Sequence, residues 1–135
     1  TASKNLPGNL QVTIKFHPTC ILAHNEYNNI SCKVTTLPIS SLLSTHNIAF
    51  TGNLTSAGIE AYCAGLDLIT SLNKTGLNKS PLRGVEDVYF VSSEKELIST
   101  IWSITNNKVV KKNREASDFF FLDPTLQGWK NMIIT

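Results

Sequence analysis

The sequence has little charge and no long apolar run. Only 16% of its 135 residues are charged, and 12 basic against 10 acidic side chains leave a net charge of +2. A net charge this small gives no global field that would gather nucleic acid or an anionic membrane surface. No apolar stretch approaches the roughly 18–20 residues that span a bilayer. We therefore expect no nucleic-acid partner and no membrane span.

Recognisable motifs of enzyme chemistry are missing as well. The chain has no G-x-S-x-G nucleophile elbow and no glycine-rich phosphate loop of the G-x-G-x-x-G or G-x-x-x-x-G-K-[ST] type. Its paired carboxylates fall at a strand mouth, in a capping first turn and at strand ends, where local structure explains them. We therefore expect no catalytic residue, no cofactor and no metal.

Uncharged polar residues are abundant instead. The chain contains 27 Ser plus Thr and 13 Asn, a composition that favours an exported or surface-attached protein over a cytosolic enzyme. Its length suits one apolar core and is short for two. The sequence thus predicts a single domain, residues 1–135.

Two of the three cysteines lie at the ends of strand-like runs. Residues 10–16 alternate apolar and polar side chains before Cys20, and a second such run, residues 30–37, contains Cys32. This spacing predicts a hairpin that a Cys20–Cys32 disulfide staples. Because cytosolic thiols are kept reduced, such a bond predicts an extracellular or periplasmic location. Cys63, on the apolar side of a helical pattern, is predicted to be a buried free thiol.

The same region leaves two alternatives open. His17, Cys20, His24 and Cys32 are ligand types of a tetrahedral zinc site, although they lack the tight C-x2-C knuckle that such sites usually contain. All three cysteines could also be reduced.

The order of predicted elements is mixed. Helical patterns cover residues 55–72 and the stretch from Ser93, where Ser93 and Glu96 have capping-box spacing. The predicted strands are 10–16, 30–37, 48–51, 85–91, 109–110 and 117–122, and residues 126–134 fit either a helix or a closing strand. This mixture predicts an α+β fold with a mostly antiparallel sheet and two helices packed on one face.

Two features are candidate binding surfaces. The basic residues Lys108, Lys111, Lys112 and Arg114 are either a patch that binds a phosphate or an acidic protein surface, or the solvated tip of a hairpin. Three consecutive phenylalanines, 119–121, cannot all face one side of a strand. We expect Phe120 to point outward and to form an aromatic surface with Trp129.

These features together predict an exported, non-enzymatic protein-binding module. Secretion or surface-appendage accessories, adhesin-type domains and inhibitor or immunity proteins are examples of that class. The alternative is a small secreted hydrolase with a site built on His17, His24 or His46. Histidine substitutions distinguish these two hypotheses. They should abolish the activity of a hydrolase but leave partner binding by a binding module intact.

Overall fold

The structure, a computed structural model, describes residues 6–8, 10–17, 31–107, 112–114 and 125–133, without the side chain of Trp129. The described part contains five strands and four helices. In chain order they are β1 (Val12–Lys15), β2 (Cys32–Thr35), α1 (Ile39–Leu43), β3 (Ile48–Gly52), α2 (Ser56–Cys63), β4 (Asp67–Ser71), β5 (Val88–Val91), α3 (Glu94–Asn106) and α4 (Gln127–Ile133). Among these helices, none has the length and apolarity that crossing a membrane requires.

The strands form two sheets, and every pairing is parallel. β1 pairs with β2, and a second sheet has the order β3-β4-β5. The fold is α+β, but the predicted mostly antiparallel sheet is wrong. The connections explain the difference, because residues 16–31, 53–66 and 72–87 are each long enough for the crossover of a dozen or more residues that parallel strands need.

The two long helices lie on opposite faces of the three-stranded sheet. Neighbours in a strand point to opposite faces, and the adjacent Leu68 and Ile69 of β4 belong to different apolar clusters. Leu68 packs with Ala61 and Tyr62 of α2. Ile69 packs with residues of α3, Ile101 and Ile104. The prediction that both helices pack on one face is therefore wrong.

The helix predicted over residues 55–72 ends early. α2 stops at Cys63, and Gly65 adopts φ +84°, a left-handed conformation that favours glycine. The Gly65 N–H donates to the Tyr62 carbonyl, and the Leu66 N–H donates to the Ala61 carbonyl. These two bonds are a Schellman motif, the common glycine stop of a helix. The apolar residues beyond it form the buried strand β4.

Several local predictions are confirmed. The expected short strand is β3, and the Ser93 hydroxyl caps α3 by accepting from the Glu96 N–H at 3.2 Å. The strand expected in 85–91 is β5, but it lies at the edge of the sheet, whereas the central strand is β4. The undecided C-terminal stretch contains the helix α4. The predicted strands 109–110 and 117–122 lie outside the described residues.

The hairpin behind the predicted disulfide does not form. In the parallel pair, Cys32 at the start of β2 is level with Val12 at the start of β1, whereas the chain toward Cys20 leaves from the other end of β1. The Cys32 thiol is free, and Cys20 lies outside the described residues. The parallel pairing of β1 and β2 therefore replaces the hairpin from which a Cys20–Cys32 bond was predicted. Cys63 is half-buried rather than buried, and it is not disulfide-bonded.

Candidate ligand-binding edge of the parallel sheet

The three strands of the larger sheet end at the same level. Gly52 is paired with Ser71, and Ser71 is paired with Val91, so the last residues of β3, β4 and β5 lie side by side. From this carboxyl edge the chain enters α2 on one face of the sheet and α3 on the other. Because these two connections diverge, the end of β4 lies between them.

The start of α2 is shaped by a short polar turn. Residues 53 and 54 turn the chain after β3, and the Thr55 hydroxyl caps the helix by accepting from the Ala57 N–H at 3.2 Å. The first turn of α2 contains no acidic residue. The positive end of the helix dipole therefore has no carboxylate in this turn, while the Ala57 and Gly58 N–H groups both donate to Thr55.

The start of α3, in contrast, has a carboxylate bound to it. The Glu96 carboxylate accepts from the Ser92 N–H at 2.7 Å and from the Ser92 hydroxyl at 3.1 Å. These bonds lower the pKa of Glu96 below its usual value, and the bond from the Ser92 N–H has the largest effect. The positive charge of Lys74 lowers this pKa further. A carboxylate of the protein thus lies at the start of α3, whereas the first turn of α2 contains none.

A glycine brings α2 close to the end of β3. A Cβ atom added at Gly58 would lie 3.1 Å from the Thr51 hydroxyl oxygen and 3.7 Å from a Leu68 methyl group. This oxygen is buried and has no hydrogen-bond partner among the described residues. The close packing fixes the position of the helix start relative to the sheet edge.

The described members of the predicted basic patch lie at the opposite, amino edge. Lys112 Nζ is 3.3 Å from Asp87 and 3.7 Å from Asp67, and Arg114 Nη2 is 3.4 Å from Asp87. Asp67 begins β4 and Asp87 directly precedes β5. Two cations therefore face two carboxylates, so this part of the cluster carries no excess charge.

Arg114 is also deeply placed. Its side chain is only 7% exposed, and its guanidinium stacks over the Tyr62 ring at 3.8 Å from the ring centre. The same guanidinium donates to the carbonyls of Tyr62 and Leu66 at 3.1 and 2.9 Å. These carbonyls lie in and just after the last turn of α2, where a cation is favourable. The charge of Arg114 thus stabilises the junction between α2 and β4.

Most of the other predicted site residues do not belong to the described part of the chain. Lys111, Phe120 and His24 lie outside the described residues, and so does the side chain of Trp129. The predicted aromatic surface and the zinc set are not tested by the described part of the chain. His17 is exposed.

The ring of His46 contacts two different elements of the fold. Its Nδ1 lies 2.9 Å from the Leu42 carbonyl at the end of α1, and its Nε2 lies 2.9 Å from the Thr13 hydroxyl of β1. The Thr45 hydroxyl also lies 2.9 Å from Nδ1. His46 thereby links the small sheet to the segment that leads into β3.

An open concavity of about 620 Å³ lies on the outer face of α3. Ile98 and Trp102 give it an apolar floor, and Glu94, Lys95 and Ser99 line the rest. All of its lining comes from one helix, so no polar groups converge on it from different elements, as they usually do in small-molecule sites.

Comparison of the chain with protein-family models, with curated proteins and with solved structures finds no match.

Proposed function

We propose that this protein binds a small phosphate-bearing molecule at the carboxyl edge of β3-β4-β5, over the end of β4. One observation carries the proposal: the sheet is entirely parallel and its flanking helices leave to opposite faces. In open parallel sheets, ligands bind in the crevice outside the carboxyl ends of the strands, and here α2 and α3 follow that edge on opposite faces.

The chemistry of the edge supports an anionic ligand with hydroxyl groups. The first turn of α2 contains no acidic residue, so the positive end of its dipole is not compensated by a carboxylate of that turn, which suits a phosphate. Uncharged polar residues near this edge include Asn53, Ser56 and Asn73, while the Glu96 carboxylate is bonded to Ser92 at the start of α3. Lys74 is the cation of the neighbouring loop. Such groups form hydrogen bonds with phosphate and sugar oxygens.

A titration followed by amide chemical shifts tests this proposal. The probes are inorganic phosphate, a sugar monophosphate and a nucleoside diphosphate, each added at constant ionic strength. We expect saturable shifts in residues 52–57 and 71–74 for at least one probe. Shifts confined to the amino edge, or no saturable shift with any probe, would contradict the proposal.

A single substitution sharpens the test. Ser56→Glu places a carboxylate in the first turn of α2, where it favours the helix but competes with a bound anion. We expect it to preserve the fold and to weaken probe binding at least about tenfold, which corresponds to roughly 1.4 kcal/mol. Ser103→Glu, the same change at an exposed position late in α3, is the matched control and should leave binding unchanged.

The protein-binding role predicted from the sequence remains a separate hypothesis. Its aromatic surface involves Phe120 and Trp129, and substitution of Phe120 by a charged residue tests it through partner binding. The secreted hydrolase remains the alternative. An exported location also remains a hypothesis. It now depends on the composition, because the predicted disulfide-bonded hairpin does not form.

A further inference from the structure

The loop that follows β4 runs beside the loop that follows β5. The Leu72 N–H donates to the Val91 carbonyl at 2.7 Å, so the chain that leaves β4 lies next to the end of β5. A turn comes next, in which the Gly76 N–H donates to the Asn73 carbonyl at 3.1 Å. Lys74 belongs to this turn and is exposed. The carboxyl edge of the sheet therefore has an exposed cation near the connection from β5 to α3.

The carboxylate of Glu96 is fixed at the same edge. Its Oε2 accepts from the Ser92 N–H at 2.7 Å and from the Ser92 hydroxyl at 3.1 Å, and Ser92 directly follows β5. The bond from the Ser92 N–H, and to a smaller extent the positive charge of Lys74, lower the pKa of Glu96. The turn after β4 and the start of α3 are thus close enough for their charges to interact.

The other carboxylate oxygen of Glu96 is bonded more weakly. Oε1 lies 3.4 Å from the Ser92 hydroxyl, which is long for a bond between two oxygens, and Glu96 is exposed. An ionised carboxylate offers about four acceptor positions and no donor. Oε1 can therefore accept a hydrogen bond from a ligand. A hydroxyl group supplies such a donor, whereas the negative charge of a phosphate is repelled.

We propose that the ligand is a sugar phosphate whose phosphate is bound by Lys74 and whose sugar donates a hydroxyl hydrogen bond to Glu96. This assignment rests on the proposed ligand site. The phosphate then lies toward α2, whose first turn contains no carboxylate, and the sugar lies toward α3. A hydrogen bond to an ionised acceptor is about twice as strong as one between neutral groups. Glu96 therefore favours a phosphate that bears hydroxyl groups over phosphate alone.

Amide chemical-shift titrations with ribose 5-phosphate and with inorganic phosphate, at constant ionic strength, test the assignment. We expect the wild type to bind ribose 5-phosphate more tightly. Glu96→Gln keeps an oxygen acceptor for Ser92 but loses the charge, so it should weaken ribose 5-phosphate about threefold or more. The same variant should bind inorganic phosphate at least as tightly as the wild type, since a repulsion is removed. Lys74→Gln should weaken both probes about fivefold or more.

The matched controls are Glu86→Gln at the amino edge and Lys79→Gln in the loop after β4, both at exposed positions. Neither should change the binding of either probe. Equal weakening of the two probes by Glu96→Gln would overturn the assignment, because Glu96 would then act through the fold of the α3 start. Unchanged binding in Lys74→Gln would overturn it as well.

Failure of this assignment is distinguishable from failure of the ligand site. If the wild type shows no saturable shift in residues 52–57 and 71–74 with either probe, the site itself is wrong. If both probes bind there and Ser56→Glu weakens both, but the Lys74 and Glu96 variants bind like the wild type, the site stands and only the assignment of these two side chains is wrong.

Discussion

The carbonyl of Gly65 accepts a hydrogen bond from the N–H of Lys112, 47 positions further along the sequence. Gly65 has φ +84° at this point, and a Cβ atom added there would collide with the Lys112 carbonyl oxygen. One glycine thus ends α2 and makes room for the chain that crosses the amino edge.

Gly65→Ala should therefore destabilise the protein through two effects. The left-handed conformation costs about 1–2 kcal/mol for any residue with a Cβ atom, and the collision with Lys112 adds to this cost. Gly84 provides the control, because its φ is +83° but nothing lies within 4 Å of an added Cβ. Gly84→Ala should show the conformational cost alone. Urea unfolding of both variants checks this, and equal losses would mean that Lys112 does not constrain position 65.

The sequence contains enough local information for several elements. Alternation of apolar and polar residues identifies β1, and the hydroxyl of Ser93 with Glu96 identifies the start of α3. Both signals arise from neighbours in the sequence. The direction of strand pairing is different, because it depends on where the crossover of residues 16–31 leads, and no local pattern records that.

The error in residues 55–72 has a specific cause. Leu68, Ile69 and Thr70 are all buried, since helices cover both faces of β4. A strand covered on both faces shows no alternation, and its apolar residues happened to continue the helical spacing of α2. The sequence Ala64-Gly65-Leu66 contained the correcting signal, because a glycine before an apolar residue is typical of a helix stop.

The candidate ligand site was missed for a related reason. The proposed site depends on the positive end of the α2 dipole at the sheet edge, and a search for charged side chains and known motifs does not detect such a feature. The basic residues that such a search did find, Lys112 and Arg114, are paired with Asp67 and Asp87 in the fold.

Leu66 follows the helix stop and is 2% exposed within the cluster beneath α2. Leu66→Ala should cost about 2–5 kcal/mol of unfolding free energy, through lost apolar transfer and the remaining cavity. Leu77, which is 80% exposed, is the matched control and should change stability by less than about 0.5 kcal/mol when replaced by alanine. The adjacent Asp67 is unsuitable as a control, because its side chain is only 14% exposed and lies 3.7 Å from Lys112 Nζ. Equal midpoints for the two leucine variants in a urea titration would show that Leu66 is misplaced.

The ion pairs of Asp87 should give stability a pH dependence at the acid end. The Lys112 ammonium and the Arg114 guanidinium hold the pKa of Asp87 below its usual value near 3.8. A carboxylate whose pKa is lowered by folding stabilises the folded state above its unfolded pKa, and this contribution is lost as the pH falls through the lowered value. Asp87→Asn should therefore be less stable than the wild type at neutral pH, by at most about 1 kcal/mol because the pair is half-exposed.

The difference between wild type and Asp87→Asn should be constant from neutral pH down to about pH 4–5 and should then shrink as the wild-type carboxylate becomes protonated. Thermal unfolding over this pH range measures it. The neighbouring Glu86 forms no ion pair within the described part of the chain, so Glu86→Gln is the matched control and should lack the neutral-pH loss. Added salt should reduce the Asp87 effect at pH 7, since the partly exposed charges are screened. A stability difference that persists unchanged below pH 3 would show that Asp87 acts through packing or neutral hydrogen bonds instead of through its charge.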